Sequence, residues 1–166
     1  LFDVNVTFVA DRGDVLFKDT KEGGLISVRM RDDLTEKQGK GVITNALGKT
    51  GMAECWGKPS PWCDYSGNLD GVGTIGVSLF DHPNNLRHPT CWHVRDYGLM
   101  GANCFGLSYF TEKDPERKNG DYSLKSGEKL HFKYRVYLHG GDVKEARVAD
   151  RYADYATPPQ VKWVEP

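Results

Sequence analysis

One stretch near the C-terminal end constrains the fold more than any other. Lys129-Leu130-His131-Phe132-Lys133-Tyr134-Arg135-Val136-Tyr137-Leu138 alternates without interruption. Successive side chains of a β-strand point to opposite faces, so Leu130, Phe132, Tyr134, Val136 and Leu138 share one face. His131, Lys133, Arg135 and Tyr137 share the other. The apolar face must be buried against a second layer, while the polar face meets water or lines a cleft. The same period runs through Phe2 to Ala10, Leu25 to Met30 and Trp92 to Tyr97, and Gly73 to Phe80 reads as a mostly buried strand. Glycine, 19 residues in all, falls between these runs where turns are needed.

One helix is expected, from Asp142 to Tyr155. Asp142 is its N-cap, with Glu145 three residues on as in a capping box. Val143, Ala146, Ala149 and Ala153 form a weak apolar stripe, and Pro158-Pro159 ends it. The expected fold is therefore mainly β: a twisted antiparallel β-sandwich over 1–141, a short C-terminal helix over 142–157 and an extended tail over 158–166. With 166 residues the chain is one domain or part of one. The strand pattern starts at residue 2, and a sandwich with open edges is prone to association. The expectation is that it packs against a missing N-terminal half or a second copy of itself.

A net charge of −1 gives no reason to expect nucleic acid or an anionic membrane surface as partner. No apolar run approaches the roughly 18 residues of a transmembrane helix. The four cysteines, Cys55, Cys63, Cys91 and Cys104, have spacings of 8, 28 and 13, which match no zinc pattern. They read either as buried free thiols or as two disulfides of undetermined connectivity.

The segment Phe80 to Gly98 concentrates chemistry. It holds His82, His88 and His93 with Arg87, Arg95, Asp81 and Asp96, stiffened by two His-Pro pairs. Strand alternation puts His93 and Arg95 on one face and Trp92, Val94 and Asp96 on the other. A His-Arg pair beside carboxylates suits an anion or acid–base work on a hydroxyl-rich ligand. A metal is the lesser reading, because the histidines lack i, i+4 spacing and Arg87 and Arg95 repel a cation. The turn Asp19-Thr20-Lys21-Glu22-Gly23-Gly24 reads either as a solvated charged turn or as a substrate contact through Lys21 or Glu22. Trp56-Gly57-Lys58-Pro59-Ser60-Pro61-Trp62-Cys63-Asp64-Tyr65 reads either as a hydrophobic plug or as a sugar platform, with Lys58 and Asp64 bonding hydroxyls.

Taken in order, Asp19 to Gly23, Trp56-Gly57-Lys58, Trp62-x-Asp64-Tyr65-Ser66-Gly67 and the long Phe80-Asp81-His82-Pro83 to Asp96-Tyr97-Gly98 motif resemble the bacterial family called "methane oxygenase PmoA". The similarity runs from about Phe2 to Asp142 and corresponds to the C-terminal half of typical members. It implies a galactose-mutarotase-like supersandwich, a large antiparallel β fold that binds sugars in a cleft. It also implies a periplasmic or extracellular bacterial protein whose composite site is incomplete in this chain. No cofactor is expected. Three functions compete. The first is a carbohydrate-active hydrolase, lyase or epimerase. It would use His82, His88, His93 and Arg95 for chemistry, with Lys21, Glu22, Trp56, Lys58, Trp62, Asp64, Arg87 and Asp96 binding a sugar or sugar acid. The second is a non-catalytic carbohydrate-binding module that stacks sugars on Trp56, Trp62 and Tyr65. The third is the metal-dependent oxygenase component that the family name suggests.

Overall fold

A computed structural model describes residues 1–22, 24–160, 162 and 163. The strands are β1 (Phe2–Val9), β2 (Val15–Phe17), β3 (Ile26–Arg29), β4 (Gly41–Asn45), β5 (Trp62–Leu69), β6 (Gly73–Asp81), β7 (Cys91–Val94), β8 (Leu99–Asn103), β9 (Tyr122–Leu124) and β10 (Lys129–Gly140). The helices are α1 (Met52–Cys55), α2 (Leu107–Phe110) and α3 (Val148–Ala156). A five-stranded sheet runs β1-β10-β6-β5-β4, a three-stranded sheet runs β3-β8-β7, and β2 pairs with β9. Every strand pair is antiparallel.

The long alternating strand behaves as its pattern requires. In β10, Leu130, Phe132, Tyr134 and Val136 are buried, whereas His131 and Lys133 are exposed. Across it, Val136 lies opposite Leu79 of β6, and Leu79 lies opposite Cys63 of β5. These residues join Ile43, Tyr65 and Val77 in one core with Trp92, Val94, Met100 and Ala102 of the smaller sheet. Burying each such large side chain stabilises by roughly 1.5–3 kcal/mol. Phe17 of β2 closes one end, stacked on Phe105 at 5.2 Å and edge-on to Phe8 at 5.0 Å.

The five-stranded sheet is covered on its second face too. Trp62, Phe80 and Tyr137 on that face pack against Ala146, Val148, Tyr152 and Tyr155. The helix that supplies this cover is shorter than expected. Asp142 and Glu145 do form the reciprocal box, with Glu145 N donating to Asp142 Oδ1 (2.9 Å) and Asp142 N to Glu145 Oε2 (3.0 Å). The turn then stops at Arg147, which has a left-handed φ of 52°. Val148 N bonds Val143 O and Arg147 N bonds Lys144 O, the pairing of a Schellman stop. This restart brings both Ala146 and Val148 onto Trp62 and Phe80, so burial overrides continuous helix. Trp62 to Gly67, read from sequence as part of a hydrophobic plug or a sugar platform, belongs to β5, an interior strand of the large sheet. Cys63 and Tyr65 face the core, and Trp62, Asp64 and Ser66 face the other way.

An apolar cleft of about 450 Å³ lies between β3 and the β6–β10 pair, its lining including Phe2, Val28, Met30, Ile75, Val136 and Leu138. Phe2 and Leu138 are exposed there. The four cysteines are buried free thiols. Pro158 to Gln160 of the expected tail carry no regular structure; Gly23, Val161, Val164, Glu165 and Pro166 lie outside the described residues. Among the described residues no helix is long and apolar enough to cross a membrane.

Candidate functional site

The outward face of the three-stranded sheet carries the densest group of candidate residues. Alternation in β7 sends Trp92 and Val94 into the core and His93 to the opposite face. Opposite His93 stands Gly101, which in turn faces Ser27 of β3. A Cβ at Gly101 would lie 3.2 Å from Ser27 Cβ, so glycine keeps the surface next to His93 low. The Thr20–Glu22 turn lies over this face because Asn103 of β8 donates from Nδ2 to both Thr20 O and Lys21 O at 2.9 Å. Asp19 pins the same turn from the other end, accepting from Ser108 N (3.0 Å) and Gly120 N (2.6 Å). Asp19 is thus a brace, and Lys21 and Glu22 are the exposed charges of the turn.

Glu22 Oε2 lies 3.7 Å from His93 Nδ1. His93 is 4 % exposed, and its Nε2 is buried without a hydrogen-bond partner. Burial holds its pKa below the ordinary value, Arg95 pushes the same way, and Glu22 opposes them. The Arg95 guanidinium sits 5.7 Å from the Trp56 ring centroid, a cation–π contact. Trp56 Nε1 is likewise buried and unpartnered. These are two of six such side-chain atoms among the described residues, the others being Asp19 Oδ1, Asn45 Nδ2, Asp64 Oδ1 and the Tyr155 hydroxyl. The group brings a carboxylate, an imidazole and two cations together, with the Trp56 ring against the Arg95 guanidinium. Chemically it can bind an anion and move a proton to or from a bound hydroxyl.

The other two histidines lie elsewhere. Asp81, at the end of β6, is fully buried. It accepts from Asn85 Nδ2 (2.7 Å) and Thr90 N (2.9 Å) and meets His88 Nδ1 at 2.7 Å. It is the staple of the His-Pro loop, whose His88–Pro89 bond is cis. Burial raises the Asp81 pKa despite these donors. His82 accepts from Asn84 N at 3.1 Å and stands edge-on to Tyr155 of α3 at 5.2 Å. The loop is organised around Asp81 and does not gather the three imidazoles.

The aromatic platform also separates. Trp56 is half-buried beside Arg95, but Trp62 is 7 % and Tyr65 0 % exposed. Trp62 lies beneath α3, and the Tyr65 hydroxyl donates to Asp96 O at 3.0 Å and accepts from Glu36 N. Neither can stack on a sugar in this conformation, which corrects the platform reading for both. Asp96 enters through its backbone, its carbonyl also accepting from Lys37 N. Asp64, read as a hydroxyl contact, is fully buried: its Oδ2 accepts from Ser78 Oγ and meets His139 Nε2, both at 2.7 Å. Sequence reasoning missed this cluster. Extending the polar face of β10 by two residues reaches His139, but nothing local marks Asp64 and Ser78 as its partners. Arg87 and Lys58 line a separate cavity with Lys118.

A family model described as a family of unknown function (DUF6807) matches residues 1–153. No curated protein and no solved structure matches the chain.

Proposed function

The chain belongs to the family of unknown function DUF6807, and from that premise we propose that it binds a carbohydrate, preferentially a sugar acid, on the outward face of β7 and β8. In this reading Arg95 and Lys21 take the carboxylate, Trp56 holds the Arg95 guanidinium in place over its ring, and Glu22 and His93 form an acid–base pair for hydrolysis, elimination or epimerisation. The observation that carries it is the gathering of charged groups on this face: Glu22 Oε2 lies 3.7 Å from His93 Nδ1, Lys21 pairs with Glu22, and Arg95 sits over the Trp56 ring. Burial keeps the His93 imidazole in its neutral form, and the Glu22 carboxylate beside it offsets part of the cost of protonating it. The same reading makes this a periplasmic or extracellular protein, as the family resemblance of its His-Pro segment implies.

The test is calorimetric titration with galacturonate and glucuronate, with galactose and glucose as neutral controls. Arg95→Ala should weaken uronate binding tenfold or more, the loss that follows from removing a charge-assisted bond of about 1.5–3 kcal/mol. On any substrate turned over, Glu22→Gln and His93→Gln should lower kcat far more than they raise KM. Uronate affinity unchanged by Arg95→Ala and Trp56→Ala would overturn the assignment of the site.

A further inference from the structure

Phe110, whose ring meets Trp56 edge-on at 5.2 Å, also walls a cavity of about 400 Å³. None of Lys21, Glu22, His93 and Arg95 lines it. The volume lies in the range of small-ligand pockets, and the lining is divided. Leu107 and Phe110 give an apolar side; Lys58, Arg87 and Lys118 are cations, against the single lining carboxylate Asp114.

Arg87 is the informative residue. Its Nη1 donates to Cys104 O (2.8 Å) and Gly120 O (2.7 Å), and its Nη2 to Asp121 O (3.0 Å). All three acceptors are neutral carbonyls. They fix the guanidinium in place without cancelling its charge. The backbone at Arg87 is left-handed, φ 59°, a conformation that a non-glycine residue rarely adopts and that recurs at ligand clamps. Lys58 and Lys118 come from separate loops, yet both act electrostatically on the Cys91 thiol, which lines the same cavity. Three cations from three segments therefore converge on one concave space.

We infer that this cavity is an oxyanion-binding site: it takes the carboxylate, sulfate or phosphate group of a ligand whose apolar body rests on Leu107 and Phe110. Guanidinium and ammonium donors bond such oxygens with charge assistance, and the carbonyl cradle pre-organises the arginine before the ligand arrives. The site is distinct from the Arg95 face and does not depend on the carbohydrate reading.

The test is a titration of isotope-labelled protein with sodium sulfate, with sodium chloride at matched ionic strength as control, followed by amide resonances of Leu107 and Thr111 and the Nε–H resonance of Arg87. Benzoate and benzyl alcohol serve as probes with an apolar ring, with and without the anion. Sulfate and benzoate should shift these resonances in a saturable way, and benzyl alcohol and chloride should not. Lys58 and Lys118 are exposed, so the double variant Lys58→Ala/Lys118→Ala should keep the native spectrum. It should weaken sulfate binding tenfold or more. Arg95→Ala should leave the sulfate response at these resonances unchanged, which separates this site from the proposed sugar face. Shifts absent, matched by chloride, or unaltered in the double variant would each overturn the inference.

Discussion

Replacing His139 by glutamine should destabilise the protein, and the loss should depend on pH in a direction set by the geometry. His139 Nε2 meets Asp64 Oδ2 at 2.7 Å and Nδ1 meets Gly141 O at 3.2 Å. Both ring nitrogens face acceptors, so the imidazolium is the form that satisfies them. The two side chains are 1 % and 0 % exposed. Burial by itself disfavours the charged ring, but the bond to Asp64, its charge and the carbonyls of Gly141 and Gly140 outweigh it, raising the pKa above 6.5. Removing one member of a buried pair leaves the other uncompensated, at a cost of about 3–5 kcal/mol. For a domain of this size that corresponds to a fall in Tm of roughly 6–20 °C. Because the folded pKa is raised, the contribution is complete below the unfolded value near 6.5 and is lost as pH climbs through the folded value. The difference between wild type and His139→Gln should thus be largest at mildly acidic pH and shrink in the alkaline range. His82 and His93 titrate in the opposite sense, since burial lowers both, and the variant leaves them unchanged. The assay is urea unfolding of both proteins across pH, with Asp64→Asn/His139→Gln as a third chain. Removing both charges should recover part of the loss, giving a coupling of about 2–3 kcal/mol. A single-variant cost under about 1 kcal/mol, or a cost that grows with pH, would refute the ion-pair argument.

Two further outcomes are expected. Native Cys55 and Cys91, pushed up to about 11 by burial, and Cys104, pushed up to about 12, should resist alkylation at neutral pH, whereas urea-unfolded protein should titrate all four thiols; mass spectrometry of the two samples decides it. Trp62→Ala should cost about 3–5 kcal/mol by opening a cavity beneath α3 while leaving sugar affinity on the Arg95 face intact, so equal losses of affinity from Trp62→Ala and Trp56→Ala in protein that remains folded would contradict the separation of the two tryptophans.

The sequence by itself determined the class of fold and much of one face. Side-chain alternation is local and period two, so β10, β1 and the orientation of His93 against Trp92 and Val94 could be read directly, and β6 showed as a mostly apolar run. So could the Asp142–Glu145 box, which depends on residues three apart. What the sequence could not carry was everything decided by non-local pairing. β5 hides because Trp62-Cys63-Asp64-Tyr65-Ser66 is buried on both faces, one by the smaller sheet and the other by α3, so its polar residues look like a loop. Only the register Asp64↔Ser78 and His139↔Gly76 brings the buried pair together, and only the missing Cβ of Gly76 leaves room: one built there would lie 2.5 Å from His139 Cε1. The His-Pro segment makes the same point for the candidate site. Its residues are neighbours in sequence, but alternation and the Asp81 staple turn His82, His88 and His93 in three directions. Arg95 joins His93 by local alternation, but Glu22 reaches it only because a turn some seventy residues away along the chain is tied down by Asn103. Periodicity fixes which way a side chain points; which other side chain it meets is settled by the packing of segments distant in the chain.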